Sequence, residues 1–325
     1  MAKATNCAGW ALALVLAWIS PSLAQTGLPD RPLRIISGFA PGGSSDVLTR
    51  LVADAVGTLL GQRVVVENRT GVNGVVAAAY VAQNPPDGTL LYQCSMSTLA
   101  ITPQLQGATL PLDPGTETGV VANVALSSYG LFVANRSDYR GVGDILAAAR
   151  ARPGQVTFAS PGAGSAQHLS GELIKGLARV EMTHVPYRGT APAVLDLIGG
   201  RIDFMIGNLG DATRQVQAGE LRLLGIGDPT RSSVFPDAPR IAATVPGFDV
   251  TGWFGMCAHK DMPDALRQVW AGAIGRAMQD AGLRQRLEGL GFTPRFEGTA
   301  DFARRLEADR RVWRDVIRTS GVRSE

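Results

Sequence analysis

The feature that most restricts this chain is a regular alternation of short β-rich runs with helical runs. Residues 33–37 (LRIIS) read as a strand, and Ser44 and Ser45 then cap a helix with Leu48, Leu51, Val52, Ala55 and Leu59 on one face, stopped at Gly61. Residues 64–67 read as a strand and 75–83 as a helix closed by the turn Pro85-Pro86-Asp87-Gly88. Residues 89–94 are strand again. The pattern resumes with strands at 156–159, 182–185, 203–206 and 222–226, interleaved with helices at 165–177, 191–198 and 211–218. The end is helical over 264–279, 282–290 and 299–319. Strands spaced by helices of this length make βαβ units, hence an α/β fold with mostly parallel sheets. Two sheets are expected, one from the first hundred residues and one from about 130–245. The long β-rich segments at 120–133 and 247–258 are left as crossovers between them.

The start of the chain stands outside this pattern. Lys3 is the only charge before residue 30, an apolar run follows over 8–19, and Ser20-Pro21-Ser22-Leu23-Ala24 ends it. This is the grammar of a secretory signal peptide over 1–24, cut after Ala24. The run is too short for the roughly 20 residues of a spanning helix. Without Lys3 the net charge falls from +3 to +2. So small an excess of Lys+Arg 31 over Asp+Glu 28 does not describe a nucleic-acid binder. With 45% hydrophobic residues, the chain has ample material for a core and is not a disordered one. Cys94 and Cys257 remain after the leader. An exported compartment permits a bond, but 163 positions of separation do not imply one, and two free buried thiols is the favoured reading.

In open parallel sheets, ligands bind beyond the carboxyl ends of the strands. The loops there are alike. They run Phe39-Ala40-Pro41-Gly42-Gly43-Ser44-Ser45-Asp46 after the first strand and Ser95-Met96-Ser97-Thr98 after the third. Next come Ser160-Pro161-Gly162-Ala163-Gly164-Ser165-Ala166-Gln167, then Tyr187-Arg188-Gly189-Thr190, then Gly207-Asn208. Nearly all pair glycine with a hydroxyl or amide and open a helix. Such loops suit an anion, because glycine lets backbone amides approach and a helix start offers unpaired donors. Ligand candidates are therefore Phe39 to Asp46, Ser97, Thr98, Ser160, Gly162, Ala163, Gly164, Ser165, Gln167, Tyr187, Arg188, Gly189, Thr190 and Asn208. Asp46, in a first helical turn, is better placed to support its helix N-terminus than to face ligand.

Motifs of other chemistries are missing. Gln167 stands where a dinucleotide motif begun at Gly162 needs its third glycine, and there is no P-loop. No G-x-S-x-G, S-x-x-K or H-E-x-x-H is present, so neither a common serine nucleophile nor a metal site is expected, and no cofactor. His168, just inside a helix, reads equally as a ligand contact or a structural hydrogen bond.

These loops resemble those of the Bug family, the extracytoplasmic receptors of tripartite tricarboxylate transporters. The likeness is carried by Pro32 to Ile36 leading into Phe39 to Asp46, by residues 61–69 (GQRVVVENR) and by Pro86-Asp87-Gly88. It continues through residues 167–173 (QHLSGEL), 184–189 (HVPYRG), 197–203 (LIGGRID) and Trp253-Phe254-Gly255. The resemblance implies a two-lobed periplasmic-binding-protein-like fold, lobe 1 at 25–126 with 254–325 and lobe 2 at 127–253. It implies a monomeric periplasmic receptor, not an enzyme, that captures a small di- or tricarboxylate or aromatic acid and passes it to membrane permease subunits. A sensor for a signalling partner is the alternative reading. A hydrolase on the same scaffold would need a nucleophile–base pair, and none is visible. Many members read Phe-Asp-Asn-Leu where this chain has Ile206-Gly207-Asn208-Leu209. That missing acid makes free amino acids poor ligands, and Arg188 suits a second carboxylate.

Overall fold

Ile35 and Ile36 are both buried although they point to opposite faces of one strand, which is what a sheet covered on both sides demands. The computed structural model describes residues 27–105, 107, 109–228, 232–320 and 322, so the expected leader lies outside the described residues. The first unit is β1 (Leu33–Ser37), α1 (Ser44–Leu60), β2 (Val64–Asn68), α2 (Val75–Ala82), β3 (Leu90–Ser95) and α3 (Pro114–Glu117). Then come β4 (Thr118–Ala134), α4 (Val142–Ala151), β5 (Thr157–Ser160), α5 (Ala166–Ala178), β6 (Thr183–Pro186), α6 (Thr190–Ile198), β7 (Phe204–Asn208), α7 (Leu209–Gln217) and β8 (Leu221–Ile226). The chain closes with β9 (Thr251–His259), α8 (Asp264–Ala277), α9 (Ala281–Gly289), β10 (Phe292–Glu297) and α10 (Thr299–Ser320).

The strands run in the order β2-β1-β3-β9-β4-β7-β5-β6, with β8 and β10 also paired to β4. The outer strands are parallel, β2-β1-β3 at one end and β6-β5-β7 at the other. The middle is antiparallel, because β4 and β9 carry the chain across in opposite directions. β4 is 17 residues long. Its first part pairs with β9 from Thr118 to Ser128, and its end pairs with β7 and β8 from Tyr129 onward. Both extended segments expected as crossovers are therefore crossover strands.

Helices cover both faces. Leu33, Ile35, Leu48, Val52 and Trp270 share one cluster, and Ile36, Tyr92, Phe302 and Trp313 share another on the opposite face. α1 ends where Gly61 turns left-handed at φ 65° and its amide reaches back to the last turn, a conformation that costs glycine little.

The cysteines correct an expectation. Cys94 and Cys257 form a disulfide, with Cα atoms 5.9 Å apart, where free thiols were the favoured reading. The cause is topological. β9 returns antiparallel beside β3, setting Tyr92 opposite Cys257 and Cys94 opposite Gly255, so 163 residues of separation collapse to neighbouring strands.

Candidate ligand-binding site

The loops expected to hold ligand meet where the two halves of the sheet face each other. Four helices start there: α1, α5, α6 and α7. Three of them lack a side-chain cap, with Gly43, Gly189 and Asn208 at the N-cap positions, while Ser165 caps α5 by accepting from the His168 amide. Uncapped starts leave backbone donors without intrahelical partners, and their aligned dipoles favour an anion.

Contacts cross the cleft at several points. The Ser97 hydroxyl accepts from the Ala166 amide at 3.0 Å. Asn73 Nδ2 donates to the Ala163 carbonyl at 2.9 Å. Ser44 donates to Asp211 through its amide at 3.1 Å and its hydroxyl at 2.7 Å. A Cβ built on Gly189 would lie 3.9 Å from that of Ala40, so these two loops also approach closely. Gly164, at φ 68°, has space for no side chain: a Cβ there would stand 2.3 Å from Leu105.

Deeper in, Asn208 is a hub. Its Oδ1 accepts from Ser127 at 2.8 Å and from Gln167 at 3.3 Å, while its Nδ2 donates to Asp211 at 2.8 Å. Thr190 Oγ1 donates to Asp211 at 3.0 Å. The Thr98 hydroxyl is buried and donates to the Asn73 carbonyl at 2.7 Å. Phe39 packs edge-on against Phe254 with ring centroids 6.2 Å apart, giving the site one apolar wall. Ala40, Pro41 and Gly42 are exposed at the rim.

Two expected residues, Asp46 and Tyr187, are held by partners of their own. Asp46 is buried, with Oδ1 accepting from Asn68 at 2.7 Å and Arg50 at 3.1 Å, and Oδ2 from Arg50 at 3.0 Å and the Gly42 amide at 3.1 Å. Burial pushes its carboxyl up, but these donors hold it below the usual value; it builds the loop. The Tyr187 hydroxyl donates to Asp196 on α6 at 2.7 Å. Arg188 is exposed.

Sequence reading missed three participants. Asn73 enters from a loop in which Val72 and Asn73 both have positive φ, 45° and 52°. Its Asn-Gly step signalled a turn but not a cross-cleft contact. Asp211 lies in the first turn of α7, beyond the loop proper. His184 lies in β6, and its Nε2 is 2.7 Å from Ser160 Oγ.

That last pair is the nucleophile–base arrangement a hydrolase would need. A hydroxyl carries one proton. Ser160 Oγ lies 2.9 Å from the Gly162 carbonyl as well as 2.7 Å from His184 Nε2, and it accepts from the Gly162 amide at 3.3 Å, so the hydroxyl is tied into its own turn. Burial, helped by His168, pushes the His184 ring down to about 3, and it stacks on His168 with centroids 3.6 Å apart. His168 Nδ1 in turn accepts from the Gly164 amide at 3.0 Å, so it shapes the loop. The two imidazoles brace the glycine-rich turn from below. Among the described residues no cluster of His, Cys, Asp and Glu is arranged to hold a metal ion.

A two-lobed α/β scaffold with helix starts and neutral donors in its cleft defines a periplasmic solute-binding protein. Residues 48–322 match the tripartite tricarboxylate transporter family receptor, and the chain belongs to that family, as its loop motifs led us to expect. It is 32% identical over 317 residues to Protein BugT of Bordetella pertussis (strain Tohama I), covering 95% of each chain. Among solved structures it is similar to R. palustris Rpa4515 with adipate, with a TM-score of 0.87 at 31% identity over 91% of this chain and 99% of that one. It is also similar to MatC of Rhodopseudomonas palustris with bound malate, with a TM-score of 0.81 at 27% identity over 89% of this chain and 100% of that one.

Proposed function

We propose that this chain is a periplasmic receptor, not an enzyme, that captures a small carboxylate between its lobes and delivers it to permease subunits of a tripartite transporter. The observation that carries the reading is the meeting of four helix starts, three without side-chain caps, in one cleft. Carboxylates are the solutes named for two similar structures, adipate and malate. A di- or tricarboxylate or an aromatic acid fits such donors. Leu126 and Trp253 are register partners on the crossover strands, which supports lobe boundaries at 126/127 and 253/254. The receptor acts as a monomer, exported with its leader removed after Ala24.

Calorimetry with an acid and its neutral amide tests the function. A charge-assisted hydrogen bond contributes about 1.5–3 kcal/mol, so the amide should bind at least about tenfold more weakly, about 1.4 kcal/mol. Equal binding of both refutes the reading. Intact mass of the periplasmic protein tests the export: a chain retaining Met1 or carrying a lipid refutes it.

A further inference from the structure

Three residues assigned from sequence to the solute share one partner in the chain itself. Oδ1 of Asp211 accepts from the Ser44 amide at 3.1 Å and the Ser44 hydroxyl at 2.7 Å. Oδ2 accepts from Thr190 Oγ1 at 3.0 Å and Asn208 Nδ2 at 2.8 Å. A carboxylate offers about four lone-pair sites, so these donors fill it. All four are neutral, and among the described residues no lysine or arginine forms an ion pair with Asp211. Its hydrogen bonds are complete, and no ion pair offsets its charge.

The position of that charge is the consequence. Ser44 opens α1 on one side of the cleft, and Thr190, Asn208 and Asp211 lie on the other. The start of α1, an anion site by its geometry, already faces a carboxylate of the protein. A second anionic group of a solute brought to this end meets a like charge. Like charges about 6 Å apart in a partly desolvated site repel strongly enough to change binding about tenfold. An ammonium finds no vacant lone pair there.

We infer that Asp211 is a specificity-determining residue that restricts the solute to acids with one carboxylate and an uncharged remainder. This rests on the proposed carboxylate-receptor function and narrows it from di- and tricarboxylates toward aromatic and other monocarboxylic acids.

The test is calorimetry on the full mature protein with succinate, adipate and terephthalate, each against its monomethyl ester, which keeps the length and removes one charge. The ester of at least one pair should bind at least about tenfold more tightly than its diacid. Asp211→Asn should narrow that gap at least about fivefold, the diacid gaining relative to its ester. Asp211→Glu keeps the charge and should keep the gap, which separates a charge effect from loss of the Ser44–Thr190–Asn208 network. Diacids binding wild type as tightly as their esters, or an unchanged gap in Asp211→Asn, overturn the inference and leave the receptor reading standing. Binding of none of the six ligands defeats the receptor reading and the inference with it. The wild-type comparison decides the matter even if neither variant folds.

Discussion

Replacing Asp228 with asparagine should change how stability depends on pH. Asp228 follows β8 and is 4% exposed. Its carboxylate accepts from Ser128 of β4 and Thr251 of β9, which are register partners on the crossover strands. One buried acid thus fastens three strands at the junction of the lobes. Arg240 Nε donates to its backbone carbonyl at 3.2 Å, and among the described residues no cation forms an ion pair with its carboxylate. Burial pushes the carboxyl up to about 6 from an ordinary 3.8, opposed by the Thr251 bond and reinforced by the charge of Asp249. The folded state therefore holds this proton more tightly than the unfolded one. The resulting stabilisation is complete below the ordinary carboxylate value and is lost as pH rises through about 6. The full span is about 3 kcal/mol at about 1.4 kcal/mol per pH unit. Between pH 5 and pH 8 the linkage integral gives about 1.4 kcal/mol. Asparagine does not titrate. In urea denaturation the variant should therefore gain about 1.4 kcal/mol relative to wild type between pH 5 and pH 8. A difference that is constant over that range, or that moves the other way, refutes the argument.

Three further outcomes are expected. Gly171→Ala on α5 places a Cβ 2.2 Å from the buried Phe158 ring and should cost about 1–3 kcal/mol in urea denaturation, whereas Gly176→Ala on the same helix meets nothing within 4 Å and should gain up to about 1 kcal/mol. Thiol titration of the denatured, unreduced mature protein should find no free thiol, and the Cys94→Ser, Cys257→Ser double variant should lose about 2–4 kcal/mol. Small-angle scattering should show a smaller radius of gyration with saturating acid, since loops of both lobes must meet one carboxylate; an unchanged radius argues for a preformed pocket.

Most elements were legible because their signals are local. The apolar stripe of α1 and its glycine stop need no knowledge of the rest of the chain, and the helix runs Ser44–Leu60. The elements that escaped have weak local signals. β10 reads FTPRFE, with a proline and two charges, and becomes a strand only because β4 offers an antiparallel edge. α4 (VGDILAAARA) follows an arginine and a glycine that read as loop, and Asp144 completes its start by accepting from the amides of Arg140 and Gly141. The disulfide was beyond reach for a related reason: it depends on which strand β9 returns beside, and no local pattern specifies that.

The site divides along the same line. Glycine and hydroxyl loops announce themselves, and the structure gathers them at one cleft. Whether a given donor is free for a solute is a long-range property. Asp46 and Asp211 are both acids in first helical turns. Asp46 turns inward to Asn68, 22 residues on, and to Arg50, and so supports its own loop. Asp211 reaches Ser44, 167 residues away, and takes up donors that sequence alone assigned to the ligand. Reading the cleft's acidity from Gly207 therefore undercounts it by one carboxylate. The expectation that free amino acids bind poorly loses that premise and gains another: the carboxylate present has its lone pairs filled, so an ammonium near it is attracted by charge yet receives no hydrogen bond to replace those it leaves in water. The cost of that unreplaced hydration, rather than the absence of an acid, is what should keep zwitterions out.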